Sequence, residues 1–76
     1  MATHEMQTRR RLRVKEVLAE KGMSMEKLAR RGWLAQKTVH SICHNPFHPA
    51  KDMTLEKIAH ALDVPVSELY EFVPVS

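Results

Sequence analysis

The sequence predicts an all-α fold, a compact bundle of five helices. Apolar residues recur at helical spacing in successive segments, as at Leu55, Ile58 and Leu62. Glycine, proline and helix-capping residues separate these segments at short intervals. A chain of 76 residues makes one domain, and such a domain buries only about 60 to 65% of its unfolded surface. We therefore expect no deep substrate cavity.

The first two helices are predicted from one apolar stripe and two end signals. The apolar residues of segment 8–21 share one face: Val14, Val17 and Leu18. Gly22 is placed to end this helix in a left-handed conformation. Ser24 can cap a second, strongly basic helix over residues 25–31, because its hydroxyl can accept a backbone N–H from the first turn.

The other three helices lie on either side of a loop. Residues 35–44 form the third helix, and the prolines of the loop 45–52 prevent its continuation. Thr54 is placed to cap the fourth helix, which the segment 63–65 ends. A short fifth helix is expected over residues 67–70. We divide the chain into an arm (1–8), a helical domain (9–71) and an apolar tail (72–76).

The charge of the chain is unevenly distributed. Residues 1–44 hold ten Lys or Arg against four Glu, a net charge of +6, whereas residues 45–76 hold two Lys against five acids, a net charge of −3. A basic half attracts polyanions. Its densest cluster is expected either to reach along DNA as a basic arm or to be a solvated helix face: Arg9, Arg10, Arg11, Arg13 and Lys15.

Two short helices separated by Gly32, Trp33 and Leu34 have the layout of a helix-turn-helix DNA reader. The run KGMSMEKLARRGWLAQKTVHSI and the later phrase MTLEKIAHALDVPVSELYEF resemble the Cro and lambda-repressor (XRE-like) family of bacterial regulators. The resemblance covers roughly residues 14–70. It implies a lambda-repressor-like bundle that places helix 35–44 in the major groove.

This resemblance assigns contact roles to polar side chains. Gln suits adenine and Lys suits guanine, so the third helix supplies the expected base-reading residues: Gln36, Lys37, His40, Ser41 and His44. Other residues are expected to contact phosphates: Lys27, Arg30, Arg31, Thr38 and Lys51. The implied partner is double-stranded DNA, bound without a cofactor by a bacterial, cytoplasmic, nucleoid-associated repressor. Neither a membrane nor a small-molecule substrate is expected.

Three residues depart from the family pattern at the turn and the helix starts. Trp33 stands where glycine is usual, and a tryptophan at positive φ is strained, so we expect a remodelled turn or another Trp33 conformation. Met25 replaces a glutamine that often touches a phosphate. Ala35 offers no side-chain cap to the third helix.

Other functions compete with DNA reading. Four soft ligands could surround zinc or copper and make a metal-gated regulator: His40, Cys43, His44 and His48. The apolar residues of the tail are expected to support a homodimer that binds DNA, and in the competing interpretation they bind a partner protein, as in an antitoxin-like interaction module: Phe72, Val73 and Val75. Catalysis is not expected, because neighbouring Cys43 and His44 point in different directions on a helix.

Overall fold

The computed structural model describes residues 7–75, so most of the expected arm 1–8 lies outside the described residues. A strand, four α-helices, a 3-10 helix and a second strand follow one another along the chain. Their bounds are β1 Thr8–Leu12, α1 Val14–Lys21, α2 Met25–Gly32, α3 Gln36–His44, α4 Asp52–Leu62, the 3-10 helix Val66–Leu69 and β2 Tyr70–Pro74. No helix among residues 7–75 is long and apolar enough to cross a bilayer.

The prediction of five helices and an all-α fold is wrong at both ends of the chain. Thr8–Leu12 is a strand, and the helix expected over residues 8–21 begins only at Val14. The segment expected to form a fifth helix is a single 3-10 turn followed by β2. The fold is therefore mostly helical, with a small two-stranded sheet.

Pairing of the two strands explains the first correction. β1 and β2 are antiparallel, with Leu12 opposite Tyr70 and Thr8 opposite Pro74. Residues 9–11 are all arginine and offer no apolar stripe that a helix could bury. In a strand, the segment needs to bury only one apolar side chain, Leu12, which is 2% exposed. A partner strand this far along the chain leaves no signal in local periodicity.

The hydrophobic core is formed by the apolar face of each helix. Leu28, Val39 and Ile58 are fully buried, and Leu69 of the 3-10 helix joins them. Strand β1 is attached to this core by Leu12, whose N–H donates to the Pro46 carbonyl at 2.6 Å. The two-stranded sheet thus joins the first and the last described elements of the chain beside the helices.

The helix boundaries confirm some end signals and correct one. Gly22 ends α1 with φ 63°, and the Ser24 Oγ accepts the Lys27 N–H at 3.1 Å, both as predicted. Thr54, however, lies inside α4, which begins at Asp52 with Lys51 in the cap position and no side-chain cap. The fourth helix ends at Asp63 with φ 57°.

Candidate nucleic-acid interface

The turn between α2 and α3 sets the orientation of the candidate reading helix. The Leu34 N–H donates to the Ala29 carbonyl at 2.9 Å, and the Trp33 N–H reaches the Arg30 carbonyl at 3.5 Å. These bonds end α2 with a left-handed residue in the Schellman arrangement. A Cβ built on Gly32 would lie 3.1 Å from the Leu34 Cδ1 atom, so this glycine permits the close packing of the turn.

Trp33 adopts the strained conformation that was not expected from the sequence. Its backbone lies at φ 56° and ψ 44°, a region that costs most L-residues roughly 1 to 2 kcal/mol. The turn is neither remodelled nor relieved by another backbone conformation. The two backbone hydrogen bonds of the turn require a left-handed backbone at this position. This requirement outweighs the tendency of a tryptophan to avoid positive φ.

Helix α3 has one buried and one exposed face. Val39, Ile42 and Cys43 point into the core. Of the expected base-reading residues, Ser41 is half-buried and the others are exposed: Gln36, Lys37, His40 and His44. Ala35 precedes the helix in an extended backbone conformation and makes no side-chain capping hydrogen bond. The amphipathic helix therefore presents hydrogen-bonding side chains outward over its whole length.

The two exposed histidines of α3 form a stacked pair. The ring centroids of His40 and His44 are 3.9 Å apart, with 23° between the ring planes. The first turn of α2 borders this face, since Met25 and Glu26 line one shallow depression together with Gln36 and His40. Sequence reasoning did not place Met25 or Glu26 beside the reading helix. Periodicity within each helix carries no information on the angle between two helices.

The expected phosphate-contacting residues have different surroundings. Lys27, Arg31 and Lys51 are exposed, and Thr38 is half-buried. Arg30 is exposed but pairs with Glu26 one helical turn earlier, at 3.2 Å between Nη2 and Oε1. An exposed pair of this kind contributes only about 0.3 to 0.5 kcal/mol, so Arg30 can exchange this carboxylate for a phosphate at little cost.

The arginines of the expected basic arm make contacts within the chain. The Arg9 guanidinium lies over the Phe47 ring, 3.9 Å from its centroid, and Arg10 donates to the Ala50 carbonyl at 2.8 Å. Both therefore attach β1 to the loop between α3 and α4. Arg13 donates to the Glu68 carbonyl at 3.4 Å.

Arg11 joins α1 to β2 through two carboxylates. Its Nη1 atom lies 2.9 Å from Oε2 of Glu16 and 2.9 Å from Oε2 of Glu71. Partial burial acts to raise the pKa of Glu16, but the hydrogen bond from Arg11, a backbone hydrogen bond and the nearby charges of Arg11 and Arg13 together outweigh it and leave this pKa below its ordinary value. The arginine cluster thus has a structural role that its sequence pattern did not reveal.

The candidate metal ligands do not converge. Cys43 is buried on the inner face of α3, whereas His40 and His44 are exposed on its outer face. Burial raises the pKa of the Cys43 thiol, which disfavours the thiolate that binds metals. His48 lies in the following loop, with Nδ1 buried and without a hydrogen-bond partner among the described residues. Within residues 7–75, no three His, Cys, Asp or Glu side chains are grouped to hold a metal ion.

A basic helix-turn-helix unit with a polar outward helix defines a DNA-binding protein. A family model for the Cro/C1-type HTH DNA-binding domain matches residues 13–75. The chain therefore belongs to the Cro/C1-type helix-turn-helix family of DNA-binding transcription regulators. A comparison with curated proteins found no match.

Solved structures support this assignment. A candidate DNA-binding protein from Bacteroides fragilis is 34% identical, with a TM-score of 0.69 over 82% of this chain and 98% of that one. The restriction-modification controller C.AhdI from Aeromonas hydrophila is 28% identical, with a TM-score of 0.67 over 74% and 83%. SinR, a master regulator for biofilm formation solved in complex with DNA, is 34% identical, with a TM-score of 0.67 over 72% and 87%.

Proposed function

We propose that this protein recognises a specific double-stranded operator by inserting α3 into the major groove. The observation that carries the proposal is the exposure of four hydrogen-bonding side chains on one short helix: Gln36, Lys37, His40 and His44. Such a helix fits the major groove, where the four base pairs present different donors and acceptors. The similarity to SinR, solved with DNA, supports the same conclusion.

The side chains divide into reading and positioning roles. Gln36 and Lys37 stand at the start of α3 and read base edges, while His40, Ser41 and His44 contact bases or the groove wall further along. Lys27 and Arg31 lie one turn apart on α2 and bind phosphates. Arg30, Thr38 and Lys51 add further phosphate contacts.

The test begins with selection of a binding site from a random duplex library. Gln36→Ala should lower affinity for the selected site by about 1 to 3 kcal/mol and relax preference at one or two base pairs. Arg31→Ala should weaken binding to selected and scrambled DNA alike and reduce the salt dependence. Gln7→Ala, which removes an exposed glutamine outside α3, is the matched control. Equal losses on both DNAs for Gln36→Ala would refute a reading role.

The protein acts as a homodimer in this proposal, joined through β2. The Val75 N–H donates to the Gln7 carbonyl at 2.9 Å, so the odd-numbered residues of β2 direct their backbone groups towards β1. Tyr70 and Phe72 consequently direct theirs to the open edge, where Phe72 is 63% exposed. Pairing of two such edges would create a four-stranded sheet, with Val73 and Val75 beside the contact.

Dimerisation would place two α3 helices on successive turns of DNA, roughly 34 Å apart. The selected site should then be palindromic, and sedimentation should show a dimer on it. Phe72→Glu should abolish the dimer, because it places a charge on the exposed edge strand, where charged side chains oppose pairing with another strand. Sedimentation of the unchanged chain as a monomer, both free and on a palindromic site, would refute the dimer.

Repression is the proposed effect on transcription. A small domain that occupies an operator competes with polymerase for the same DNA. A reporter driven by a promoter that overlaps the selected site should be silenced by the unchanged chain and released by Gln36→Ala. Increased reporter output with the unchanged chain would show activation instead.

A further inference from the structure

Trp33 is a large apolar side chain that contributes little to the fold. Its surface is 89% exposed, and its backbone is held in the left-handed region. The conformational cost of this residue is therefore not offset by burial within the described chain. Residues retained in sparsely populated backbone regions concentrate at ligand-binding and switch positions. The surroundings of Trp33 therefore indicate what it can bind.

The indole forms one wall of an open groove between the end of α2 and the start of α4. The groove has a volume of about 490 Å³, within the range of ligand-binding clefts. Its apolar surface comes largely from Trp33 and Met53, which is 67% exposed.

Basic side chains surround this apolar surface. Arg31 borders it from α2, and Lys57 and His60 border it from α4. Glu56 contributes a carboxylate to the same rim. Arg31 and Lys57 carry two permanent positive charges against the one negative charge of Glu56. The groove therefore combines an apolar surface with a net positive rim that attracts negative charge.

The groove contains none of the proposed base-reading or dimer-contact residues and shares only Arg31 with the proposed phosphate contacts. In the described part of the chain, none of its lining residues belongs to α3 or β2. The reading face borders Met25 in the first turn of α2, whereas Trp33 follows the last turn. About 10 Å of helix separates the two ends of α2. The groove therefore lies beside the start of α3 and not on its base-reading face.

We infer that this groove docks an acidic amphipathic helix of a partner protein. Apolar side chains of such a helix, spaced at i, i+3 or i+4 and i+7, would cover Trp33 and Met53. Its carboxylates would lie beside Arg31 and Lys57. A second copy of this chain fits less well, because two-fold contact would bring each basic rim against itself. The groove shares Arg31 with the proposed phosphate contacts but holds none of the base-reading residues, and docking in it does not depend on DNA binding.

A synthetic peptide tests this docking directly. The probe is an amphipathic peptide of about 15 residues, with leucines on one face and glutamates on the other, and its counterpart carries lysines. Trp33 is the only tryptophan of the chain, so its fluorescence reports contact in the groove. The acidic peptide should shift the emission of the full chain to shorter wavelength with saturation and should bind at least tenfold more tightly than the lysine peptide.

Variants separate the groove from general attraction between charges. Trp33→Gly should reduce acidic-peptide affinity at least tenfold, measured by peptide anisotropy, while its circular dichroism remains that of a folded chain. Lys57→Glu should reverse the preference between the two peptides. Lys21→Glu, which makes the same charge change at an exposed residue of α1 outside the groove, is the matched control and should bind like the unchanged chain.

Three outcomes would overturn the inference. One is equal binding of the acidic and lysine peptides, or no emission shift with either. Another is a tenfold loss of duplex-DNA affinity in Trp33→Gly, which would assign the groove to nucleic acid. The third is a shift that grows with concentration of the chain alone, which would assign it to a second copy. None of these results depends on whether α3 reads a specific operator.

Discussion

Replacing Trp33 with glycine should stabilise the protein, although it deletes the largest side chain of the molecule. The substitution removes little packing, because Trp33 is 89% exposed. A tryptophan contributes at most about 250 Å² of surface, so roughly 25 to 30 Å² is covered here. At about 25 cal/mol per Å², this contact is worth only about 0.7 kcal/mol.

The backbone gain is larger than this loss. Trp33 lies at φ 56°, where an L-residue pays roughly 1 to 2 kcal/mol that glycine avoids. The net effect of Trp33→Gly is therefore a stabilisation of about 0.3 to 1.3 kcal/mol. Trp33→Ala loses the same packing and keeps the strained backbone, so it should destabilise the protein by about 0.7 kcal/mol.

Thermal and urea unfolding followed by far-ultraviolet circular dichroism provide the measurement, since both variants lack the fluorescent residue. The glycine variant should exceed the alanine variant by at least about 1 kcal/mol, or about 4 to 8 °C in melting temperature for a domain of this size. A glycine variant no more stable than the alanine variant would refute the argument that the backbone of Trp33 is strained.

Three further predictions concern the fold. Ser24→Ala should lower the free energy of unfolding in urea by about 1 kcal/mol, because the Ser24 Oγ caps α2 by accepting the Lys27 N–H. The control Ser67→Ala, which removes an exposed hydroxyl, should change the stability little. Equal effects of the two substitutions would contradict the cap. Leu69→Ala should cost about 2 to 5 kcal/mol, since Leu69 is fully buried, and a loss below 1 kcal/mol would contradict its place in the core. Because the folded-state pKa of Glu16 is lowered, its contribution to stability is present above the unfolded pKa of about 4.3 and is lost as pH falls through the folded value. Arg11→Gln should flatten this acid dependence in unfolding measured from pH 6 to pH 2, and an unchanged pH profile would remove the pair as its cause.

Local sequence was sufficient to predict the helical part of the site. The spacing of Val39 and Ile42 separates the buried face of α3 from the exposed one, and Ser24 marks where α2 begins. Capping and periodicity depend on residues within one or two turns of each other. The order of helices and the outward position of Gln36 and Lys37 could therefore be inferred from the amino-acid sequence.

Charge composition predicted a basic half but not its use. The arginines of β1 were expected to reach DNA or to cover a helix; they lie on a strand, and the three of them contact Phe47, Ala50, Glu16 and Glu71. These partners come from different elements and loops. A charge pattern identifies side chains that can bind anions or aromatic rings. Only the tertiary structure shows which of these partners each side chain contacts.

The sequence by itself determined the helices α1 to α4 in outline, the capped start of α2 and the amphipathic character of α3. Tertiary structure alone decided that residues 8–12 form a strand with residues 70–74 and that a basic-rimmed groove opens beside Met53. The division has one physical cause. Helix periodicity and caps are local interactions, whereas strand pairing and grooves arise from contacts between segments that are distant in the chain.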